Sequence, residues 1–401
     1  MSVAPLGATT PPQPRKHLIL EAPSKAEFFA DTFTATGADI RRRLPIINGA
    51  AVEVDPGQEA DLRKQAAAMG YRVYEDRKVT VPEGEEPGPE VDLNGGTWAL
   101  DTGTRTMGAR ELWDKNITGK GVAVAVIDTG VAPHKDLAGR IVAFKDFTAA
   151  NRADAYDDHG HGTHVSGTVA GDGKASKGWL KGMAPEANIV GVKVLDGGGS
   201  GEFSDVIAGI QWAVDNRQTY NIRVINLSLG AAIEESYKDD PVVHAIDAAA
   251  AAGVLPVVAA GNSGPFPETI GTPANAPDAL TVAALDDRGT PWTWDDRMAL
   301  FSSRGNTAID GLKKPDVAAP GVAIMAARAN SEGYTQMSGT SMAAPMVAGA
   351  AALLFQAHPE ATPAQVKDAF MGSADSLWGY SEKAQGKGSV RVPDALAKLE
   401  S

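Results

Sequence analysis

The sequence predicts an α/β protein: a doubly wound, mostly parallel sheet preceded by a small α+β unit. Three observations carry this. Short apolar runs alternate with helical runs from about Gly121 onward. A stretch rich in Pro, Gly and acid, PEGEEPGPEVDLNGG (82–96), separates an earlier, shorter set of strands and helices from the rest. The chain's 401 residues, 43% of them apolar, suffice for two cores, one of them large.

Residues 1–16 are rich in Pro and Thr and read as disordered. HLIL (17–20) reads as a strand and SKAEFFADTFTATG (24–37) as a helix. IINGAAVEV (46–54) reads as a strand broken by a turn at Asn48-Gly49. PGQEADLRKQAAAMG (56–70) is a helix with Pro near its start and Gly at its end, and YRVYEDRKVTV (71–81) is strand again. Residues 17–81 thus form one domain of order β-α-β-β-α-β, and 82–96 a linker with an exposed place to cut.

The second domain, 97–401, opens its sheet with GVAVAVID (121–128) and continues with NIVGVKVL (188–195), IRVINLSLG (222–230), VLPVVAAGN (254–262) and ALTVAAL (279–285). Between them lie FSDVIAGIQWAVDNR (203–217), apolar at 206, 207, 210 and 214, and PVVHAIDAAAAAG (241–253), closed by Gly. SMAAPMVAGAAALLFQAH (341–358) is a helix of small residues, expected to be deeply packed. Such alternation gives parallel strands covered on both faces, and sites in such sheets lie beyond the carboxyl ends of the strands.

Composition narrows the function. With 37 basic and 50 acidic residues the net charge is −13, which gives no reason to seek nucleic acid or an anionic membrane. The absence of cysteine excludes disulfides, thiolate metal sites and a cysteine nucleophile. No run reaches the ~18 apolar residues of a membrane span. The N-terminal MSVAPLGATTPPQPRKH lacks the apolar core of a secretory signal, so the expectation is a cytoplasmic protein or one exported without a leader.

Polar residues in four places sit at strand or helix ends. Asp128 ends the first buried strand and is either a turn residue or a functional acid. His159, His161 and His164 fall within HGHGTHVSG (159–167), where an imidazole base and a metal site both fit the spacing, although no HExxH helix pattern is present. Ser341 stands where loop becomes helix, as an N-cap or as a nucleophile beside backbone N–H groups that can hold an anion. It is not in a GxSxG elbow, since Met342 and Ala343 follow it. Asn262 ends another strand with an amide that forms a turn or donates to an oxyanion. Each is ambiguous alone; together they supply acid, base, nucleophile and oxyanion donor. A serine hydroxyl needs a neutral imidazole to take its proton, and a buried carboxylate fixes the tautomer of that imidazole.

The stretches VAVIDTGV (124–131), HGHGTHVSG (159–167), INLSLG (225–230), AAGNSG (259–264) and SGTSMAAP (338–345) resemble the signatures of the subtilases, the subtilisin-like serine proteases. FSSRG (301–305) and KPDVAAPG (314–321) are similar to further landmarks of that family. The chain order acid, base, nucleophile is the one found in subtilisin itself. MAPEANIVGVKVL (183–195) and AAGNSGP (259–265) are similar to the AprX-like branch, whose known member is a leaderless bacterial protease. The resemblance runs from about residue 97 to the C-terminus.

It implies a subtilisin-like peptidase domain after a ferredoxin-like prodomain, made as a self-processing zymogen. Asp128, His161 and Ser341 match the triad, and Asn262 the oxyanion-hole side chain. Gly199, Ser200 and Gly201, with Ser228, Leu229 and Gly230, match the two backbone segments that pair with an extended substrate. Ala260 and Gly261 match one wall of the pocket for the residue before the cut bond, and Gly271 its floor. The implied activity is endopeptidase cleavage of proteins and peptides through an acyl-enzyme, with broad specificity and a large apolar residue favoured before the cut. Glu268, close in sequence, could admit Lys or Arg. The implied partners are protein substrates and the chain's own prodomain as inhibitor.

No cofactor is expected for catalysis. Structural calcium fits the family, but GDGKASKGWLK (171–181) replaces the segment that binds it tightly in secreted subtilisins, and Lys174, Lys177 and Lys181 repel a cation. The same loop lacks the GxxxxGK[ST] spacing of a nucleotide-binding loop. Asp157-Asp158, beside the central His, remain a place for an ion. Two other readings stay open: a catalytically dead subtilase fold used for binding, and a metallohydrolase built on His159, His161 and His164.

Overall fold

The computed structural model describes residues 14–23, 33, 36–91 and 99–401. The chain divides into two compact units, 1–76 and 77–401.

In the first unit an antiparallel sheet of order β2-β3-β1-β4 is built from β1 (Lys16–Glu21), β2 (Asp39–Leu44), β3 (Gly49–Val54) and β4 (Arg72–Glu75). Helix α1 (Glu59–Ala68) buries Leu62 and Ala66, one turn apart on one face. They join Leu18, Leu20, Val52, Val54, Phe33 and Tyr71 in one apolar cluster. Leu18 and Leu20, like Val52 and Val54, are two apart, as a strand with one face on a core requires. The expected helix at 24–37 lies largely outside the described residues, as does most of the segment 1–16. Arg15, among the described residues, donates to Asp39 at 2.8 Å.

Two expectations are corrected here. The strand expected over 46–54 begins only at Gly49, since 45–47 form a single tight turn closed by Asn48 at φ 52°. The β-β step of the expected order needs a strand before the turn, and that strand is β2 at Asp39–Leu44, not 46–48. DIRRRL carries three consecutive arginines and shows no apolar alternation, so its strand character comes from pairing with β3. The strand expected over 71–81 is interrupted: β4 belongs to the first unit, while Lys78–Thr80 (β5) belongs to the second.

The second unit holds β6 (Ala123–Asp128), β7 (Ile141–Asp146), β8 (Asn188–Lys193), β9 (Ser200–Glu202), β10 (Ile222–Leu227), β11 (Leu255–Ala259), β12 (Leu280–Asp286), β13 (Arg297–Met298), β14 (Val317–Pro320), β15 (Ile324–Ala327) and β16 (Tyr334–Met337). Its helices are α2 (Ala99–Thr106), α3 (Ala109–Trp113), α4 (His161–Ala170), α5 (Phe203–Asp215), α6 (Arg217–Tyr220), α7 (Pro241–Ala251), α8 (Thr340–Ala357), α9 (Pro363–Ser373), α10 (Glu382–Gln385) and α11 (Val392–Leu399). The main sheet runs β13-β12-β11-β10-β6-β8-β7, with β14 also paired to β12. All its pairs are parallel except β12 with β13. This is the doubly wound sheet that the strand–helix alternation predicts.

The winding places the site. From β6 the chain goes out through β7 and β8 on one side, then crosses to β10, β11 and β12 on the other. The strand order therefore reverses at β6, and Asp128 is its last residue. Val124, Val126, Val224 and Val257 share an apolar cluster with α4 and α8, while α5 and α7 pack on each other and on β10 and β11. Helix α8 is long and apolar enough to cross a membrane, but it lies buried in this core. Its alanines and glycine let it approach closely: a Cβ on Gly349 would stand 2.6 Å from Cβ of Met183.

Candidate active site

Three chain segments bring the polar residues together. Asp128 ends β6, His161 opens α4 after Gly160 at φ 105°, and Ser341 is the second residue of α8. All three are fully buried. Asp128 Oδ1 accepts from Nδ1 of His161 at 2.7 Å and from the Thr129 N–H at 2.7 Å. The hydrogen bond to Nδ1 leaves Nε2 as the ring nitrogen that can face a substrate.

The Asp128 turn and the start of α4 are held to each other by Asp157. One oxygen of this buried carboxylate accepts from Thr129 Oγ1 at 2.9 Å and from the Gly160 N–H at 2.7 Å. The other accepts from Thr163 N and Oγ1 at 2.8 and 2.6 Å. Asp158 instead pairs with the buried Lys193 at 2.7 Å. Both carboxylates considered above as an ion site are thus engaged in binding the protein to itself.

The nucleophile candidate is positioned through a helix defect. Pro345 lies inside α8 and has no N–H for the carbonyl four residues earlier. That carbonyl belongs to Ser341, and the Ser228 hydroxyl donates to it at 2.9 Å. The Ser341 hydroxyl in turn donates to the Ser228 carbonyl at 3.3 Å. Asn262 is oriented by Thr340, whose N–H and hydroxyl both donate to Oδ1 at 3.0 and 2.9 Å. Its Nδ2 is thereby turned the other way and shares one acceptor oxygen with the Ser341 N–H, so the two form a pair of donors.

A carboxylate occupies that pair. Glu85 Oε1 accepts from Asn262 Nδ2 at 2.6 Å and from the Ser341 N–H at 3.4 Å, while Oε2 lies 3.2 Å from Nε2 of His161. Glu85 is 1% exposed. The imidazole sits between two carboxylates; burial pulls its pKa down, but Asp128 and Glu85 together raise it to about 10.

Glu85 arrives on an extended segment. Residues Lys78–Thr80 pair antiparallel with Ser200–Glu202. Thr80 exchanges both backbone hydrogen bonds with Gly230, at 3.2 and 3.1 Å, and the Val81 N–H donates to Gly199 at 2.9 Å. Further on, the Thr335 hydroxyl donates to the Gly88 carbonyl at 3.0 Å and the Val91 N–H to the Tyr334 carbonyl at 2.9 Å. The backbone edges matched to substrate pairing, at Gly199, Ser200, Gly201 and Gly230, are those that take a strand here. Ser228 and Leu229 precede Gly230 and are buried.

Beside this segment is a cavity of about 590 Å³, bordered by Leu229, Ala260, Gly261, Glu268 and Gly271. A Cβ on Gly271 would meet the Ala231 carbonyl at 2.7 Å, so glycine fits this part of the lining without a shift. Glu268 is exposed at the cavity's border.

The three clustered imidazoles have separate partners. His159 faces Glu86 at 3.2 Å and His161 lies between Asp128 and Glu85. His164 Nε2 meets the Ile324 carbonyl at 3.0 Å, and burial lowers its pKa to about 3. In the loop 171–181, Lys174 pairs with Asp172 at 2.6 Å, Arg140 shares that carboxylate at 3.3 Å, and Lys181 lies over the Trp113 ring. Among the described residues no three His, Asp or Glu side chains converge as a metal site.

A parallel α/β sheet with a buried Asp–His pair and a serine at a helix start near the strand ends is an arrangement that serine peptidases use. The subtilase family model matches residues 119–390, and the chain belongs to the subtilase family of serine peptidases. It is 38% identical to the serine protease AprX of Bacillus subtilis (strain 168), over 89% of this chain and 81% of that one. It is also 38% identical to a subtilisin of Bacillus pumilus, over 73% and 97%. Among solved structures it resembles fervidolysin of Fervidobacterium pennivorans, a keratinolytic enzyme related to subtilisin. The TM-score is 0.75 with 28% identity, over 98% of this chain and 62% of that one.

Proposed function

We propose that this peptidase is an endopeptidase that cuts proteins through an acyl-enzyme, with Ser341 as nucleophile, His161 as base and Asp128 fixing the imidazole. Asn262 Nδ2 and the Ser341 N–H are the donors for the oxyanion. The observation that carries the reading is one oxygen, Glu85 Oε1, within reach of both donors while its partner oxygen faces Nε2. An anion already sits where a tetrahedral intermediate's charge would develop. The 590 Å³ cavity with Gly271 in its lining supports a preference for Leu, Phe, Tyr or Met before the cut, within broad specificity. No cofactor enters this chemistry. Calcium, if bound, would be structural.

The N-terminal unit serves in this reading as an intramolecular inhibitor and folding aid, released by cleavage within 82–96. Parallel sheets pair residues far apart in sequence and fold slowly, so a preformed partner would help. The test uses wild type and Ser341→Ala side by side. Ser341→Ala should abolish peptide hydrolysis while still folding, and should stay whole while wild type loses roughly its first 80–95 residues, as the linker position implies. Residual hydrolysis above a trace of wild type would remove Ser341 as nucleophile.

A further inference from the structure

We propose that Glu85 is a latch: its side chain holds the oxyanion donors and the imidazole at once, so that the segment lying in the cleft is an inhibitor and not yet a substrate. This rests on the reading of the site given above and adds to it the chemical means of latency.

Occupying a cleft is not enough to inhibit a peptidase, because a strand paired along both edges is also how a substrate lies. Attack needs a carbonyl oxygen between Asn262 Nδ2 and the Ser341 N–H, and a free lone pair on His161 Nε2. Glu85 removes both conditions. Oε1 takes the two donors and Oε2 takes the nitrogen. Backbone pairing with Gly230 and Gly199 ends at Val81, and Pro82, lacking an N–H, cannot continue it. The chain then spans 82–87 before the backbone hydrogen bonds at Gly88 and Val91. The site between is filled by a side chain and not by the backbone.

The fit is close. A Cβ on Gly339 would overlap the Glu85 carboxylate where it now lies, so the glycine two before Ser341 leaves the space that the carboxylate fills. The ion pair is dry, with Glu85 and His161 side chains both inaccessible. A carboxylate between two N–H donors and an imidazolium makes charge-assisted hydrogen bonds, roughly twice as strong as neutral ones. An imidazole so held is protonated and cannot act as base. The other charged groups nearby are Asp128, on the far side of the ring, and the more exposed pair Glu86–His159 at 3.2 Å. Glu86 is 79% exposed in its side chain and serves as the neighbouring control.

The experiment compares full-length wild type, Glu85→Gln and Glu86→Gln. Self-cleavage is followed by mass spectrometry and peptide hydrolysis by a chromogenic peptide. Glu85→Gln keeps the shape and loses the charge, so self-cleavage should accelerate about tenfold or more, the worth of a charged hydrogen bond. Glu86→Gln should match wild type. Equal or slower cleavage in a folded Glu85→Gln chain overturns the latch. Synthetic peptides of residues 77–91, added to self-processed enzyme, give a second measure independent of folding. The Glu85 peptide should inhibit about tenfold more tightly than its Gln counterpart, and equal inhibition overturns the proposal. In full-length Ser341→Ala the low-field proton resonance of the His161–Asp128 hydrogen bond should persist above pH 8 and be lost there in Glu85→Gln. If no form hydrolyses peptide, the peptidase reading fails. If hydrolysis depends on Ser341 but not on Glu85 in the full chain, the latch alone fails.

Discussion

At the scale of single residues, the side chains that position the site outnumber those that react in it. Ser228 fills a gap in α8 created by Pro345, and Thr340 decides which end of the Asn262 amide faces Glu85. Ser228→Ala should lower kcat by about two- to tenfold with little change in KM, since one hydrogen bond of about 1 kcal/mol is lost. An unchanged kcat would show that the Ser341 carbonyl needs no partner. Asn262→Ala should cost on the order of 10²–10³ in kcat. Thr340→Val should lie between these two, because it frees the amide to flip without removing it, and a loss as large as that of Asn262→Ala would argue against this ordering. The candidate triad was legible because Asp128, His161 and Ser341 each occur inside an extended motif and in a diagnostic order. Glu85 was not legible, being one acid among several in a linker-like stretch, and only the paired strand before it brings its carboxylate to the donors. Thr340 lay in a recognised motif, but its role depends on an amide orientation that spacing does not encode.

At the scale of elements, α8 and the hairpin β12–β13 show packing and charge pulling in different directions. Gly349→Ala should gain about 1 kcal/mol of helix propensity and lose about 1–3 kcal/mol to the collision with Met183. The expected net result is a lower melting temperature, measured in the Ser341→Ala background to avoid self-digestion. A higher one would mean that Met183 yields freely. Beside β13, Asp296 is 8% exposed and neither of its oxygens has a hydrogen-bond partner. Burial, with Asp287 next, raises its pKa to about 7. Below the ordinary carboxylate range both folded and unfolded chains hold the proton. As pH rises from about 4, the unfolded chain releases it first, and the folded state loses stability until pH passes about 7. Asp296→Asn should therefore raise the melting temperature by a few degrees at pH 8 and scarcely at pH 4, and an equal shift at both would exclude the titration. Five strands of the main sheet, β6, β8, β10, β11 and β12, were readable because burial on both faces demands continuous apolar runs, whereas the part-exposed edge strand β7 and the short β13 and β14 were not read. Strand β2 was hidden because Arg41, Arg42 and Arg43 suit an edge strand facing solvent, and only its pairing with β3 shows it.

At the scale of the molecule, doubly wound topology explains why residues more than 200 positions apart meet: the reversal at β6 opens a crevice that α4 and α8 both enter. In the loop 171–181, Lys174 and Arg140 already compensate Asp172, so millimolar calcium should move the melting temperature of Ser341→Ala little. A large rise would reveal a cation site elsewhere. The way the cleft takes chain from Lys78 to Val81 has a wider consequence. The cleft pairs with backbone N–H and C=O groups on both edges of this segment, and a substrate strand should be read the same way. A residue in a helix, or inside someone else's sheet, has already spent those groups. The cleft therefore senses whether a stretch of chain is free to become a strand before it senses which side chains it bears. A natively folded globular protein should resist this enzyme, and the same protein heat-unfolded should be cut at many points. Such an enzyme discriminates damaged from intact proteins without a recognition sequence, and equal digestion rates for the two forms would refute that.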